Sequence, residues 1–291
     1  MTFHVHQSNR VERLVTLLAR QLERPRGGAF EQEAVVVPGR GMGVWLSMEL
    51  SKRLGVWATP LIYPRALVED VARRALGQNA LGPEPLSEEL MEWAIRALLP
   101  GLLDEPDFAG LKRYLARDPL GVRLSELSER LATVFDQYLT YRPEWARVWA
   151  GGGLLNVGPE DRFQPLLFRR LSERLRCRHV GELEPLLLER LADSRPLALP
   201  PRVSVLGVST LPPLFVRVLV ALARHVDVHF FLFAPSPSLA VDGGARPLLA
   251  GLGQVGRELD DVLRATLEAQ GVAAEWHDEF EPPRADTLLG A

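Results

Sequence analysis

The stretch Ala34–Leu50, AVVVPGRGMGVWLSMEL, constrains the fold more than any other part of the chain. Three consecutive valines closed by Pro38-Gly39 read as a buried strand. Met42, Trp45, Leu46 and Leu50 then fall at helical spacing, so a strand runs through a glycine turn into an amphipathic helix. This is the profile of an α/β crossover. In open α/β sheets ligands dock beyond the carboxyl ends of strands, where glycines let backbone N–H groups approach an anion. Gly39, Gly41 and Gly43 therefore carry two readings: a tight turn with close packing, or a cradle for a phosphate backbone with Arg40 presented at the helix N-terminus. The pattern leaves both open.

The neighbouring segments extend the α/β pattern. Phe3-His4-Val5-His6 alternates like a short strand, and Gln7-Ser8-Asn9 precedes Val11, Leu14, Leu17, Leu18 and Leu22, which share one helical face. The first 60 residues thus predict a βαβα unit with a parallel strand pair. From Pro60 to Leu197 the texture is helical, with segments expected over Arg65–Leu76, Ser87–Leu99, Asp107–Arg117, Arg123–Tyr141, Arg162–Arg176 and Gly181–Leu191, punctuated by pairs such as Gly82-Pro83 and Pro100-Gly101. Strand texture returns at Val203–Val208 and Val226–Phe233 around a helix over Leu214–His225. A last helix over Gly253–Ala269 precedes a polar tail. The expectation is an α/β core from residues 1–60 and 200–291 with a helical insertion over 61–199. The close at Asp286–Ala291 reads as the start of a helix, as in a fragment of something longer.

Composition excludes several classes. With 47% hydrophobic residues over 291 positions the chain can bury a sizeable core. No apolar run reaches the length of a membrane span and the N-terminus lacks a signal-peptide pattern, so a cytoplasmic location is expected. The single Cys177 rules out a disulfide framework or a thiolate-built cluster within the chain. A net charge of −3 means that any nucleic-acid contact must be local. The basic residues are nearly all arginine, which suits phosphate recognition and equally fits a GC-rich composition.

Nucleotide hydrolysis needs a glycine-rich loop with a lysine, a hydroxyl for magnesium and an acid at the end of a second strand. The His6-Gln7-Ser8-Asn9-Arg10 turn has neither glycine nor lysine. The Pro38–Gly43 turn has glycines without the Lys-Ser/Thr pair, and Leu206-Gly207 stands where the acid is wanted. No catalytic site is therefore expected, and no cofactor. Histidines His4 and His6 share a strand face, as do Asp227 and His229, but neither pair has a third ligand nearby in sequence, so no metal is expected. The block Phe135-Asp136-Gln137-Tyr138-Leu139, followed by Tyr141-Arg142-Pro143 and Trp145, supports two readings: aromatic and polar groups offered to exposed bases, or a helix whose Phe135, Tyr138 and Leu139 pack in a core.

That block, together with His6–Arg10, Gly41-Met42, Trp45-Leu46, Leu211-Pro212-Pro213 and Pro247-Leu248-Leu249-Ala250, resembles the N-terminal part of the RecC family, the gamma subunit of the RecBCD helicase–nuclease (exodeoxyribonuclease V). The resemblance runs in order from residue 3 to the end. It implies a helicase-like, P-loop-like parallel core whose nucleotide site is lost at His6, Gln7, Ser8, Asn9, Arg10 and Leu206. It also implies a DNA-binding role in recombinational repair: guiding the 3′-ended strand of a forked duplex and contributing to recognition of the regulatory Chi sequence. Carried over by position, the DNA-facing candidates are Pro38, Gly39, Arg40, Gly41, Val44, Tyr63, Thr133, Val134, Asp136, Gln137 and Arg142. Pro38 and Arg40 stand where the family carries polar uncharged residues, and Thr133 where an acid is common. The implied partners are a RecB-like helicase–nuclease and a RecD-like helicase, with ATP and magnesium in those subunits. An active ATPase with an unorthodox site and a DNA-indifferent interaction module are the competing readings.

Overall fold

The computed structural model describes residues 1–24, 26, 33–84, 86–118, 120–155, 157–234 and 254–282. Pro247–Ala250 and Asp286–Ala291 lie outside them. The chain forms two compact units, residues 1–75 with 188–291, and residues 76–187. Among the described residues no helix is long and apolar enough to cross a membrane.

The first unit is α/β. Its five strands are β1 (Phe3–Ser8), β2 (Ala34–Val36), β3 (Arg202–Leu206), β4 (Asp227–Phe233) and β5 (Ala274–Asp278), all parallel in the order β2-β3-β4-β1-β5. Ile62 adds a one-residue parallel bridge to Val36 at the β2 edge. Helix α1 (Val11–Leu22) follows β1, and α2 (Arg40–Leu54) follows β2. Their apolar stripes pack on one sheet face, where Leu14, Leu18, Leu46 and Leu50 meet Val35, Val37, Leu206 and Phe231. Helices α3 (Pro64–Leu76) and α10 (Pro213–Leu222) cover the other face, their Leu67, Val68, Phe215 and Leu219 sharing a dry seam with Val36 and Val205. Helix α11 (Gln254–Gln270) joins them through α10, with Gln270 Nε2 donating to the Arg217 carbonyl at 3.0 Å.

The β1-to-β2 crossover runs one way along the sheet and every later connection runs the other. The crossovers therefore change direction around β1 and β4, the place where open α/β sheets form a crevice at their carboxyl edge. At the opposite, amino edge, Arg202 is buried and its Nε donates to Glu33 Oε2 at 2.8 Å. Arg26 pairs there with Asp227.

The second unit is helical: α4 (Glu88–Leu102), α5 (Ala109–Leu115), α6 (Val122–Tyr141), α7 (Pro143–Ala150), α8 (Phe163–Leu175) and most of α9 (Val180–Ala192). Its core gathers Met91, Ile95 and Leu99 from α4, Leu131, Phe135 and Leu139 from α6, Trp149 from α7, and Leu167, Phe168 and Leu171 from α8. Ser87 caps α4 by accepting from the Leu90 N–H at 3.2 Å, ahead of the acidic first-turn pair Glu88 and Glu89.

Several expectations are corrected. The polar tail contains β5, an edge strand whose sequence AEWHD offers one large apolar residue. The α4 helix runs through Pro100, which near the C-terminus removes a single backbone bond and breaks nothing. The expected Asp107–Arg117 helix is a 3-10 turn (Pro106–Phe108) followed by the short α5. Helix α7, absent from the expected elements, starts at Pro143, whose fixed φ suits a first helical position. Residues 61–75 and 188–199 belong to the α/β unit, because Ile62 bridges β2 and α3 buries Leu67, Val68, Val71 and Ala72.

Candidate functional site

The turn after β1 is shorter than the sequence implies, since His6, Gln7 and Ser8 belong to the strand and only Asn9 and Arg10 connect it to α1. The side chains of this turn meet the segment that follows β5. Ser8 Oγ donates to the Glu279 carbonyl at 2.8 Å and accepts from the Arg10 N–H at 3.1 Å. Asn9 exchanges bonds with the Glu281 backbone at 2.8 and 3.1 Å. Arg10 Nε lies 2.7 Å from Glu281 Oε2, and Arg13 donates to Glu279 Oε2, also at 2.7 Å. Two carboxylates of the chain thus occupy the anion-facing side of the turn. At the end of β3, Leu206 is fully buried among Val37, Leu46 and Phe231, and Gly207 adopts φ +75° beneath Met42.

The turn after β2 is different. Helix α2 begins at Arg40 with Gly39 as an extended N-cap that offers no side chain. A Cβ built on Gly39 or Gly41 would meet nothing within 4 Å, so close packing does not require glycine at either position. Gly43 is buried and faces Leu61 and Val37 at ordinary contact distance. Pro38, Arg40, Gly41 and Val44 are exposed, as is Tyr63 beyond the Ile62 bridge. Among the described residues Arg40 makes no side-chain hydrogen bond or ion pair. The first N–H groups of α2 therefore lack a side-chain cap and begin beside an exposed guanidinium that has no partner among the described residues, which is the general arrangement for receiving an anion.

The remaining candidates lie in the helical unit. Thr133, Val134 and Asp136 are half-buried on α6, while Gln137 and Arg142 are exposed. The Thr133 hydroxyl lies against the Glu88 carboxylate and the Glu129 carbonyl. Arg142 is the hinge residue between α6 and α7: its N–H donates to the Tyr138 carbonyl at 2.8 Å and its carbonyl accepts from the Trp145 N–H at 2.9 Å. The aromatic members of the block serve the core. Phe135 packs edge-on to Phe168, and Tyr138, Trp145 and Trp149 form a cluster with centroids 5.4–6.1 Å apart. Of the block's aromatics, Tyr141 alone is exposed. The eleven DNA-facing candidates thus form two groups on different units.

The α6–α7 hinge rests on Gly181 of α9. A Cβ there would lie 2.4 Å from the Leu139 carbonyl oxygen and 2.9 Å from Pro143 Cβ. We expect Gly181→Ala to cost about 2 kcal/mol, as overpacking usually does. Gly101→Ala in α4, with nothing within 4 Å, should be neutral or mildly stabilising. Urea unfolding of both variants checks the contrast.

A constellation that sequence spacing did not reveal lies on the α1/α2 face of the sheet. Parallel register brings His4 opposite His229 and Glu275, and His6 opposite His277. His4 stacks on His229 with centroids at 4.4 Å, His6 stacks on His277 at 4.6 Å, and His6 Nε2 lies 3.2 Å from His229 Nδ1. Burial, reinforced by neighbouring imidazoles, pushes His6 down to about 4 and His229 down to about 3, and burial lowers His4 as well. These three rings are therefore held as neutral imidazoles. No local motif encodes the cluster, because its members come from three strands and the first of these is far in sequence from the other two.

Comparison with known proteins gives a consistent result. The family described as RecC, N-terminal domain, matches residues 3–291. The chain is 34% identical over 243 residues to the RecBCD enzyme subunit RecC of Escherichia coli (strain K12), covering 79% of this chain and 21% of that protein. It is 31% identical over 318 residues to the protein of the same name from Mycolicibacterium smegmatis, covering 100% of this chain and 27% of the relative. The Haemophilus influenzae protein of that name is 28% identical over 262 residues, covering 80% and 23% respectively. The chain thus spans between about a fifth and about a quarter of the length of these relatives.

Proposed function

The chain belongs to the RecC N-terminal domain family, and from that premise we propose that it is a non-catalytic, DNA-handling part of a RecBCD-type helicase–nuclease acting in double-strand break repair by recombination. In this reading it guides the 3′-ended strand of a forked duplex and contributes to reading a Chi-like signal. RecB-like and RecD-like partners supply ATP hydrolysis and strand cleavage. The observation that carries the reading is the open N-terminus of α2: uncapped N–H groups, two glycines with no packing role, and the exposed Arg40, which has no partner among the described residues. A DNA phosphate fits those groups, and the exposed Gln137 and Arg142 offer polar contacts on the helical unit.

The core is helicase-like in this proposal, with a nucleotide site that no longer functions. Support comes from the parallel sheet whose crossovers change direction at β1 and β4, with the β1 turn located at that crevice. The turn lacks lysine and glycine, its donors are engaged by Glu279 and Glu281, and the end of β3 presents buried Leu206 instead of an acid. These observations weigh against the ATPase reading.

The test is a forked-DNA titration of the chain co-purified with its RecB-like partner. Binding should weaken with rising salt. Arg40→Ala and Arg142→Ala should each reduce affinity about 3- to 10-fold and lower the salt slope by about one. Affinity and salt slope that neither substitution changes would favour a DNA-indifferent interaction module, and DNA-stimulated ATP turnover by the chain alone would sink the proposal.

A further inference from the structure

We propose that His4, His277 and Glu275 form a binding site for a zinc-class divalent cation where the α1/α2 face of the sheet runs out to its β5 edge. Three donor atoms converge there. His4 Nδ1 lies 3.2 Å from Glu275 Oε2 and 3.4 Å from His277 Nε2, and His277 Nε2 lies 3.9 Å from Glu275 Oε2. Each of the three offers one ligand atom, and these atoms all lie within 4.8 Å of one another. For a triangle with those edges the circumradius, the product of the edges over four times the area, is about 2.0 Å. Zinc bonds to imidazole nitrogen and carboxylate oxygen run about 2.0–2.2 Å. An ion therefore fits among the three groups without rearrangement of the strands.

The donor set selects the class of ion. Two imidazoles and one carboxylate suit zinc and its neighbours copper, nickel and cobalt, whereas magnesium and calcium want oxygen ligands throughout. Three protein ligands with a solvent-facing fourth position match an open tetrahedral site. Glu275 and His277 are 60% and 37% exposed at their side chains, so the ion has a way in. The rings behind the site are already held in place: His229 stacks flat on His4, at 9°, and His6 on His277, at 14°. Such packing fixes ligand orientation before binding.

The consequence is mechanical. Among the described residues β5 is an edge strand paired to β1 alone, and its end delivers Glu279 and Glu281 to the β1 turn. An ion bridging His4 of β1 to Glu275 and His277 of β5 staples that edge in register.

The test uses the 291-residue chain after chelator treatment, titrated with Zn²⁺ against a chromophoric competitor, and with Co²⁺ for its visible absorption. One equivalent should bind, with a tetrahedral Co²⁺ spectrum and a melting midpoint raised by several degrees. His4→Ala, His277→Ala and Glu275→Gln should each weaken binding at least about 10-fold. Glu275→Gln, at the most exposed ligand, keeps the test valid if a histidine variant misfolds. His225→Asn, at a ring that bonds the Leu191 carbonyl and is not one of the three ligands, should leave affinity unchanged. Absence of stoichiometric binding, or binding that the three substitutions do not alter, overturns the proposal.

Discussion

Leu206→Asp is expected to unfold the α/β unit, not to supply a metal-binding acid. Leu206 is fully buried at the end of β3, among Val37, Leu46, Phe231 and other apolar side chains. Removing the leucine forfeits about 1.5–3 kcal/mol of burial. Placing a carboxylate there without a cation or donor adds several kcal/mol more, or forces its protonation. The total exceeds about 4 kcal/mol, a large share of the roughly 5–15 kcal/mol that holds a domain together. Leu206→Ala separates the two contributions, since it loses burial and leaves a cavity but introduces no charge, and should cost about 2–5 kcal/mol. Denaturant unfolding followed by circular dichroism reads both, and an unshifted midpoint for the Leu206→Asp variant would refute the packing argument.

Glu33→Ala should cost about 3–5 kcal/mol, because it strands a buried guanidinium. Arg202 opens β3 with its side chain 3% exposed, and Glu33, immediately before β2, holds it by charge-assisted hydrogen bonds. The ion pair ties the starts of two neighbouring strands through groups that water cannot readily replace. The physical claim is that the penalty lies in the orphaned charge and not in the lost attraction. Adding Arg202→Met to Glu33→Ala should therefore recover most of the stability. Chemical denaturation of the single and double variants decides it: if the double variant is as weak as the single, the orphaned charge is not the cause.

Periodicity exposed the elements that bury one clear face. The valine run of β2, the Leu14–Leu18 stripe of α1, the strands around α10 and the helical texture of the middle of the chain all appear where the pattern places them. It failed where packing is supplied by neighbours. β5 shows Ala274-Glu275-Trp276-His277-Asp278 with both faces half-exposed, so alternation carries almost no signal. Pro143 and Pro100 are the same residue type with different outcomes, one opening a helix and one riding in its last turn, because position relative to the cap decides the effect. The aromatic block showed the same limit: helical spacing put Phe135, Tyr138 and Leu139 on one face, but it takes partners on other helices, such as Phe168 of α8 and Trp149 of α7, to show that this face is core. Of the α2 turn, the glycines were legible and their purpose was not, since openness at Gly39 and Gly41 is a property of what lies around them. The four-histidine cluster was out of reach for a related reason: register between parallel strands is set by the whole sheet.

The engagement of the β1 turn by Glu279 and Glu281 makes the chain its own tethered competitor. A soluble phosphate-bearing molecule seeking Asn9, Arg10 and Arg13 would contend with two carboxylates whose effective concentration is fixed by the strand that carries them, and short tethers reach about millimolar or more. Raising the free ligand concentration is thus a weak lever at this turn. Releasing the segment after β5 is the strong one.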